Sequence, residues 1–233
     1  MQYAIGDVHG CIKTLRLLVE EKIQLTKKDL LVLVGDYIDR GPDSKAVLDY
    51  LMELKEKGYD VIPLRGNHDQ MMVDAYMKKD SFSSTLWLNN GAQNTIDSFM
   101  PDIPTEYYEM AIGQIPEKYI QFIQSMPFYH ELDDYLLVHG GFDWNSADPF
   151  SDTRGMLWER EPSNNIRFTK GRTIIHGHTP TPSNIIKNNP GSSVINIDSG
   201  CVYTHIEDLG NLTAFNMDTR EFFIVSNQDS GKW

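Results

Sequence analysis

Cysteine is scarce in this sequence: only Cys11 and Cys201 occur among its 233 residues. Two cysteines are too few for the disulfide framework of a small secreted protein. They also supply too few thiolates for a structural zinc site or an iron–sulfur cluster. We therefore expect a protein of a reducing compartment, in which any metal site is built from oxygen and nitrogen ligands.

Long apolar runs and an excess of positive charge are missing as well. No apolar segment approaches the roughly 20 residues that a membrane-spanning helix needs. The N-terminus lacks the basic start and apolar stretch of an export signal, so we expect a cytoplasmic protein without membrane contact. The net charge of −12 disfavours binding to the phosphate backbone of a nucleic acid.

The length and composition are those of an ordinary globular protein, with 40% hydrophobic and 23% charged residues. We expect a single domain over residues 1–233, since this length supports one large core and no internal repeat is present. Residues 70–130 mix aromatic residues with Ser, Asn and Pro, and we expect a mostly helical insertion or cap there, with a small local core. Residues 227–233 are expected to form a loose tail.

Three short apolar runs end abruptly in charged and metal-competent residues. They are Tyr3–Ile5 before Gly6-Asp7-Val8-His9-Gly10, Leu30–Val34 before Gly35-Asp36-Tyr37-Ile38-Asp39-Arg40-Gly41, and Val61–Leu64 before Arg65-Gly66-Asn67-His68-Asp69. Helical periodicity in residues 12–23 and 44–57 separates the runs, and this alternation predicts parallel strands. Because ligand sites lie beyond the carboxyl ends of parallel strands, the three motifs should meet at one edge. The first helix would begin just after Gly10, with its N-terminus facing this site.

From Tyr135 onward the sequence becomes rich in strands, and two of these also end in histidine. The candidate strands are 135–138, 173–175, 194–197, 212–217 and 222–225, whose short spacings late in the chain favour antiparallel hairpins. His139 follows the first of them, and the second leads into His176, Gly177 and His178.

These strand ends together offer carboxylates, imidazoles and one amide, a ligand set suited to Mn²⁺, Fe or Zn²⁺. Two metals about 3.5–4 Å apart need a bridging carboxylate, and Asp36 on the central strand is best placed to bridge. Taken singly, each of these residues is more simply explained as a turn or capping residue. It is the combination of several motifs that favours a metal site.

The motifs resemble the three signature motifs of the phosphoprotein phosphatase group of metallophosphoesterases, and phage and bacterial serine/threonine phosphatases match best in size. The resemblance extends from Gln2 to about Met217 and is weakest across the insertion. It implies an α/β fold of the calcineurin-like type, a central β-sandwich flanked by helices. It also implies hydrolysis in which a hydroxide bridging two divalent cations, Mn²⁺ by preference, attacks phosphorus in line.

The resemblance further implies a role for each matching residue. Asp7 and His9 would hold the first metal, Asp36 would bridge, and Asn67, His139 and His178 would complete the second. His68 would be the general acid, oriented by Asp39, and Arg40 would bind the phosphate. Arg160 resembles the second phosphate-binding arginine, with Arg154 as its rival. Trp158 is expected to pack in the core.

Three functions are compatible with these motifs. A serine/threonine protein phosphatase acting on a phosphorylated protein or peptide is favoured, because symmetrical diadenosine tetraphosphate hydrolases usually depart from the Asp39-Arg40 pair. Hydrolysis of a dinucleoside polyphosphate, as in symmetrical bis(5'-nucleosyl)-tetraphosphatase, is the main alternative. A non-catalytic interaction protein of the same fold is the third, and it is weakened because every motif ligand is present.

Overall fold

The computed structural model describes residues 1–229, and two β-sheets lie at their centre. The strands found in these residues are β1 Gln2–Ile5, β2 Leu30–Leu33, β3 Asp60–Pro63, β4 Tyr129–Glu131, β5 Tyr135–Val138, β6 Thr173–His176, β7 Val194–Asn196, β8 Asn211–Asn216 and β9 Glu221–Ser226. The first sheet has the strand order β3-β2-β1-β8-β9, and the second has the order β4-β5-β6-β7.

Helices flank the sheets. They are α1 Ile12–Arg16, α2 Ser44–Glu56, α3 Asn67–Lys78, α4 Ser81–Leu88, α5 Ala92–Phe99, α6 Tyr108–Ile112, α7 Glu117–Gln124, α8 Thr153–Trp158, α9 Ile166–Thr169 and α10 Ser183–Lys187. Helix α1 continues as a π-helix over Leu17–Lys22, and a 3₁₀ turn at Thr105–Tyr107 precedes α6. None of the helices in residues 1–229 has the length and apolar composition that crossing a bilayer requires.

Strand pairing in the first sheet follows the sequence pattern. Strand β2 pairs in parallel with both β1 and β3, as the alternation of strands and helices predicts. Strands β8 and β9 form the expected antiparallel hairpin. In the second sheet β5, β6 and β7 are parallel, so the expectation of antiparallel pairing late in the chain is wrong for β7. The crossover to β7 contains α10, which is too short to show helical periodicity in the sequence.

The two sheets pack against each other through alternate residues of each strand. Ala4 and Val32 of the first sheet share a buried apolar cluster with Leu137 and Ile175 of the second. Their neighbours in the sequence point the other way, and Ile5, for example, packs into the core beneath the helices. This period-two alternation produces a β-sandwich with a helical layer outside it, as the resemblance implies.

The five helices between β3 and β4 share the main core of the first sheet. Trp87 of α4 and Tyr119 of α7 are fully buried in the same cluster as Leu48 and Leu51 of α2. The aromatic residues of this segment therefore extend the main core and do not form a separate small one. Phe82 and Tyr107 are exceptions, because 77% and 49% of them, respectively, are exposed.

The end of the chain is not a loose tail where the structure describes it. Asp229 is buried, and its carboxylate accepts hydrogen bonds from the backbone N–H groups of Lys13 and Thr14, both at 3.0 Å. The Thr14 hydroxyl also donates to it at 2.6 Å. Asp229 therefore caps α1. Two N–H groups of this helix, whose N-terminus was predicted to face the strand-end motifs, donate to Asp229 instead. Residues 230–233 of the expected tail lie outside the described residues.

Replacing Asp229 by alanine should lower the free energy of unfolding by about 1–3 kcal/mol, since buried donors lose a charged acceptor. Chemical denaturation of Asp229→Ala measures this loss. Gln228→Ala is the matched control, because Gln228 is exposed and its backbone N–H keeps its bond to Thr14. An Asp229→Ala protein as stable as the control would contradict the capping role.

Candidate active site

Loops that follow β1, β2, β3, β5 and β6 meet at the carboxyl ends of the parallel strands. The backbone N–H of Val8 donates to the carbonyl of Asp36 at 3.1 Å, which joins two loops of the first sheet. The N–H of Gly177 donates to the carbonyl of His139 at 2.9 Å within the second sheet. Between the sheets, the N–H of His178 donates to the Asp7 carboxylate at 3.0 Å. The predicted convergence of the motifs is therefore observed.

Asp36 lies in the middle of this convergence and is buried. Its Oδ2 atom is 3.6 Å from Nε2 of His9 and 3.4 Å from Nε2 of His139. Its Oδ1 atom accepts the backbone N–H of His68 at 3.0 Å. One carboxylate oxygen thus lies near imidazoles from both sheets, the position that a bridging ligand needs.

The ring orientation of His139 places two lone pairs face to face, and a cation between them would remove this repulsion. Its Nδ1 is 3.0 Å from the carbonyl oxygen of Val34, which can only accept, so this nitrogen carries the proton. In the neutral ring, Nε2 then presents a lone pair to Oδ1 of Asn67 at 2.9 Å and lies 3.1 Å from Nδ1 of His178. A nitrogen and an oxygen lone pair so close together suit ligation of one cation.

Asp7 and His178 supply further buried atoms that suit a cation. The Oδ1 atom of Asp7 and the Nε2 atom of His178 are buried, and neither has a hydrogen-bond partner within residues 1–229. Burial, followed by the charges of Asp198 and Asp36, raises the pKa of Asp7 well above its usual value. These are the properties of ligand atoms prepared for a cation, because a nearby positive charge would offset the burial of the carboxylate.

The pKa values of the other groups agree with this interpretation. Burial first, and then the neighbouring imidazole of His139, lowers the pKa of His178 to about 3, so the ring is in the neutral form that binds metals. Burial alone would raise the pKa of Asp36, but the neighbouring histidines hold it below its ordinary value. Asp36 is therefore kept ionised, whereas burial favours the protonated form of Asp7.

Within residues 1–229, two groups of three residues have ligand atoms within 4.8 Å of one another: His9, Asp36 and His68, and Asp36, His139 and His178. They share Asp36, as a bridging ligand requires. In the first group His68 stands where Asp7 was expected. Asp7 remains the expected ligand, because its buried Oδ1 has no hydrogen-bond partner within residues 1–229.

The two candidate phosphate-binding arginines differ in their surroundings. Nη1 of Arg40 is 2.9 Å from Nε2 of His9, at the centre of the cluster. Arg160 is exposed, and its charge is one of the smaller contributions that lower the pKa of His139 and His178, after burial. Its rival Arg154 lines a surface depression beside Asp152. Arg160 is therefore the better placed of these two.

Trp158 does not pack in the core as expected. It is 39% exposed, and its ring lies edge-on to the ring of His178 with 6.0 Å between the centroids. Helix α8 ends at Trp158, beside the site. The side chain thus offers an aromatic face at the mouth of the site.

Two buried carboxylates at the site were not identified as site residues from the sequence. Asp69 accepts the backbone N–H groups of Asp36 and Gly66 at 2.9 Å and of Tyr37 at 3.2 Å, so it fastens the second motif to the third. Asp198 follows β7, and burial raises its pKa to about 7. In the sequence, Asp198 follows an apolar strand and precedes Gly200, an order partly similar to the first motif. This order was the signal that could have identified Asp198 as a site residue.

Glycines allow these loops to approach one another closely. A Cβ atom at Gly66 would lie 2.1 Å from Oδ1 of Asp36, and one at Gly177 would lie 2.1 Å from Oδ1 of Asp7. Since no side chain fits at such distances, both positions require glycine.

Adding Mn²⁺ should stabilise the protein through this cluster. At 100 times the dissociation constant, binding contributes about 2.7 kcal/mol, which corresponds to a rise of roughly 5–10 °C in Tm for a domain of this size. Asp36→Asn should lose most of the rise, because it removes the shared charge. Asp133→Asn, at an exposed carboxylate before β5, is the control. Equal shifts in all three proteins, measured by differential scanning calorimetry, would contradict the assignment.

Two named relatives have sequences similar to this chain. Serine/threonine-protein phosphatase 1 of Salmonella typhimurium is 30% identical over 212 residues, which are 86% of this chain and 87% of that protein. Symmetrical bis(5'-nucleosyl)-tetraphosphatase of Cellvibrio japonicus is 43% identical over 86 residues, which are 36% of this chain and 31% of that protein.

A solved structure and a family profile extend the comparison. A protein serine/threonine phosphatase from Saccharomyces cerevisiae, with similarity to human phosphatase PP5, covers 99% of this chain and 80% of its own with a TM-score of 0.64. Its identity is 16%, so the likeness concerns the fold. The profile described as calcineurin-like phosphoesterase matches residues 3–218, which confirms the resemblance and the fold that it implies. This chain therefore belongs to the calcineurin-like phosphoesterase family of dimetal enzymes.

Proposed function

We propose that this protein is a metal-dependent phosphomonoester hydrolase that removes phosphate from phosphoserine or phosphothreonine in proteins. The observation that carries the proposal is the bond between His68 and Asp39, with Arg40 next in the chain and in contact with His9. This arrangement places a proton donor, His68, and an anion-binding group, Arg40, in the same site. The Salmonella phosphatase, which matches most of both chains, supports the same substrate class.

Six side chains would hold the two metals. Asp7, His9 and Asp36 would form the first set, and Asp36 with Asn67, His139 and His178 would form the second. When bound, two divalent cations such as Mn²⁺ supply water acidic enough to lose a proton near neutral pH and offset the charge of the phosphate. The buried surroundings of these side chains strengthen that charge compensation.

His68 provides the proton for the leaving group. Its Nδ1 is engaged by Asp39, which leaves Nε2 as the ring nitrogen that delivers a proton. As the bond from phosphorus to the serine oxygen breaks, that oxygen takes the proton and leaves as an alcohol. Water supplies the oxygen that forms the new bond on the opposite side of phosphorus.

Arg40 and Arg160 bind the non-bridging phosphoryl oxygens. A guanidinium donates two parallel hydrogen bonds to such oxygens and carries a charge that opposes theirs. Arg40 approaches from the second motif and Arg160 from the end of α8, so the phosphate would be held between the two sheets. This placement positions the phosphorus for attack and supplies part of the rate enhancement.

Hydrolysis of a dinucleoside tetraphosphate is the second candidate. The exposed ring of Trp158 beside His178 favours it, because a nucleobase stacks on such a face. The relative from Cellvibrio japonicus has this activity in its name, although the match covers about a third of that protein.

A direct comparison of substrates tests the proposal. The Mn²⁺-loaded protein should release phosphate from a phosphoserine peptide with a kcat/KM at least ~100-fold higher than for diadenosine tetraphosphate, since a small monoester fits between the arginines without a base site. Phosphate release and chromatography of the nucleotides measure both reactions. Turnover of the dinucleotide alone would overturn the choice of substrate.

His68→Asn should reduce kcat for the phosphoserine peptide by about 10²–10⁴, the usual contribution of a general acid. The loss for 4-nitrophenyl phosphate should be below ~10-fold, because its leaving group hardly needs a proton. His130→Asn is the control, since His130 lies in β4 and has no part in the site. Equal losses on the two substrates would exclude His68 as the acid.

A further inference from the structure

The carboxylate of Asp39 is held by side chains from the segment between β3 and β4. The indole N–H of Trp87 donates to both of its oxygens, at 2.9 and 3.1 Å. The hydroxyl of Thr95 donates to Oδ1 at 2.7 Å, and His68 occupies Oδ2 from the other side. Asp39, Trp87 and Thr95 are all fully buried.

The backbone of Asp39 is fixed by the same segment. Its N–H lies 2.9 Å from the Thr95 hydroxyl oxygen and 3.0 Å from that of Ser44. Thr95 therefore contacts both the main chain and the side chain of this residue. Because both its backbone N–H and its carboxylate are hydrogen-bonded, Asp39 has a fixed side-chain orientation. The orientation of the His68 ring therefore depends on a residue outside the three motifs.

The next residue is held in a similar way. The N–H of Arg40 donates to the carbonyl of Gly91 at 3.0 Å, and the side chain of Asn94 donates to the carbonyl of Arg40. Asp39 and Arg40 have φ angles of 72° and 66°, a left-handed conformation that non-glycine residues adopt only when surrounding contacts enforce it. Residues 87–95 supply several of those contacts.

The neutral donors Trp87 and Thr95 are important because few other groups offset the negative charge of the buried Asp39 carboxylate. Within residues 1–229, His68 is the sole basic side chain in ion-pair contact with it. A buried carboxylate without donors would be costly, and it would turn toward any available partner. The indole and the hydroxyl satisfy the remaining lone pairs and keep the Asp39 oxygen aligned with Nδ1 of His68.

We propose that Trp87 and Thr95 are positioning residues, which orient Asp39 and through it the His68 ring for proton transfer to the leaving group. The inference rests on the role of His68 in the proposed function. It assigns to the helical segment, where the resemblance to known phosphatases is weakest, a part in the acid step. Neither residue touches the substrate, so each acts through Asp39.

A merely structural role is the alternative, because Trp87 also belongs to the main core. The two roles differ in the substrate dependence of their loss. Misorientation of the acid slows only reactions whose leaving group needs a proton, whereas partial unfolding or loss of metal slows all substrates equally.

Two variants remove the hydrogen bonds while keeping most of the packing. Trp87→Phe deletes the indole N–H, and Thr95→Val replaces the hydroxyl by a methyl group. Thr95→Ser keeps the hydroxyl and serves as the conservative variant. Ile96→Val is a matched core control, since Ile96 is fully buried in the same helix and makes no contact with Asp39 through a polar group.

Steady-state kinetics with Mn²⁺ compare a phosphoserine peptide with 4-nitrophenyl phosphate. Thr95→Val and Trp87→Phe should lower kcat for the peptide about tenfold or more, with KM nearly unchanged, and should lower kcat for the aryl phosphate less than threefold. Thr95→Ser and Ile96→Val should stay within about twofold of the wild type on both substrates. Adding Trp87→Phe to His68→Asn should cause no further loss on the peptide, because the acid is already absent.

The outcomes separate this inference from the proposed function. If His68→Asn loses the peptide reaction selectively but Thr95→Val and Trp87→Phe do not, the positioning role is wrong and the acid assignment survives. If His68→Asn itself affects both substrates equally, the acid assignment fails and the inference fails with it. If Thr95→Val lowered kcat equally for both substrates, Trp87 and Thr95 would be packing residues only, and the positioning role would be overturned.

Discussion

Buried negative charge at one edge of the two sheets is the constraint on which the rest of this structure depends. Five aspartates, Asp7, Asp36, Asp39, Asp69 and Asp198, are at most 3% exposed there. Backbone N–H groups satisfy Asp69, and histidines surround Asp36, but one oxygen of Asp7 has no partner in the described part of the chain. Such an arrangement is costly unless cations complete it. The same requirement explains why glycines let the loops approach so closely and why the ligand types are hard oxygens and neutral imidazoles.

Side chains at the ends of parallel strands from both sheets form the site. In the proposed site, the first sheet supplies Asp36 as the bridging ligand, His68 as the acid and Arg40, while the second supplies His139 and His178. Contact between the sheets brings Oδ1 of Asn67 within 2.9 Å of Nε2 of His139, and both side chains belong to the proposed second metal position. The segment that contains Trp87 and Thr95 then holds the Asp39-Arg40 turn in a backbone conformation that it would not adopt alone.

The sequence predicts those parts of the molecule whose signals are local. Strand β2 and its charged end were clear because five apolar residues stop at Gly35, and helix α2 was clear from its periodicity. Partners that are distant in the chain were not predictable: Asp229 caps α1 across more than 200 residues, and Trp87 reaches Asp39 from the weakly matched segment. The exposure of Trp158 depends on how α8 ends, which the sequence does not encode locally. Asp198 also follows an apolar strand, but no histidine comes after it as His9 comes after Asp7, so its local signal is weak.

The presence of two cations that share Asp36 is the central claim, and anomalous diffraction from crystals grown with Mn²⁺ tests it most directly. The account predicts two anomalous peaks about 3.5–4 Å apart. Both should contact Asp36, one with Asp7 and His9, the other with Asn67, His139 and His178. Crystals in which Asp7, Asn67 and His178 point to different places, with no peak among them, would contradict the account.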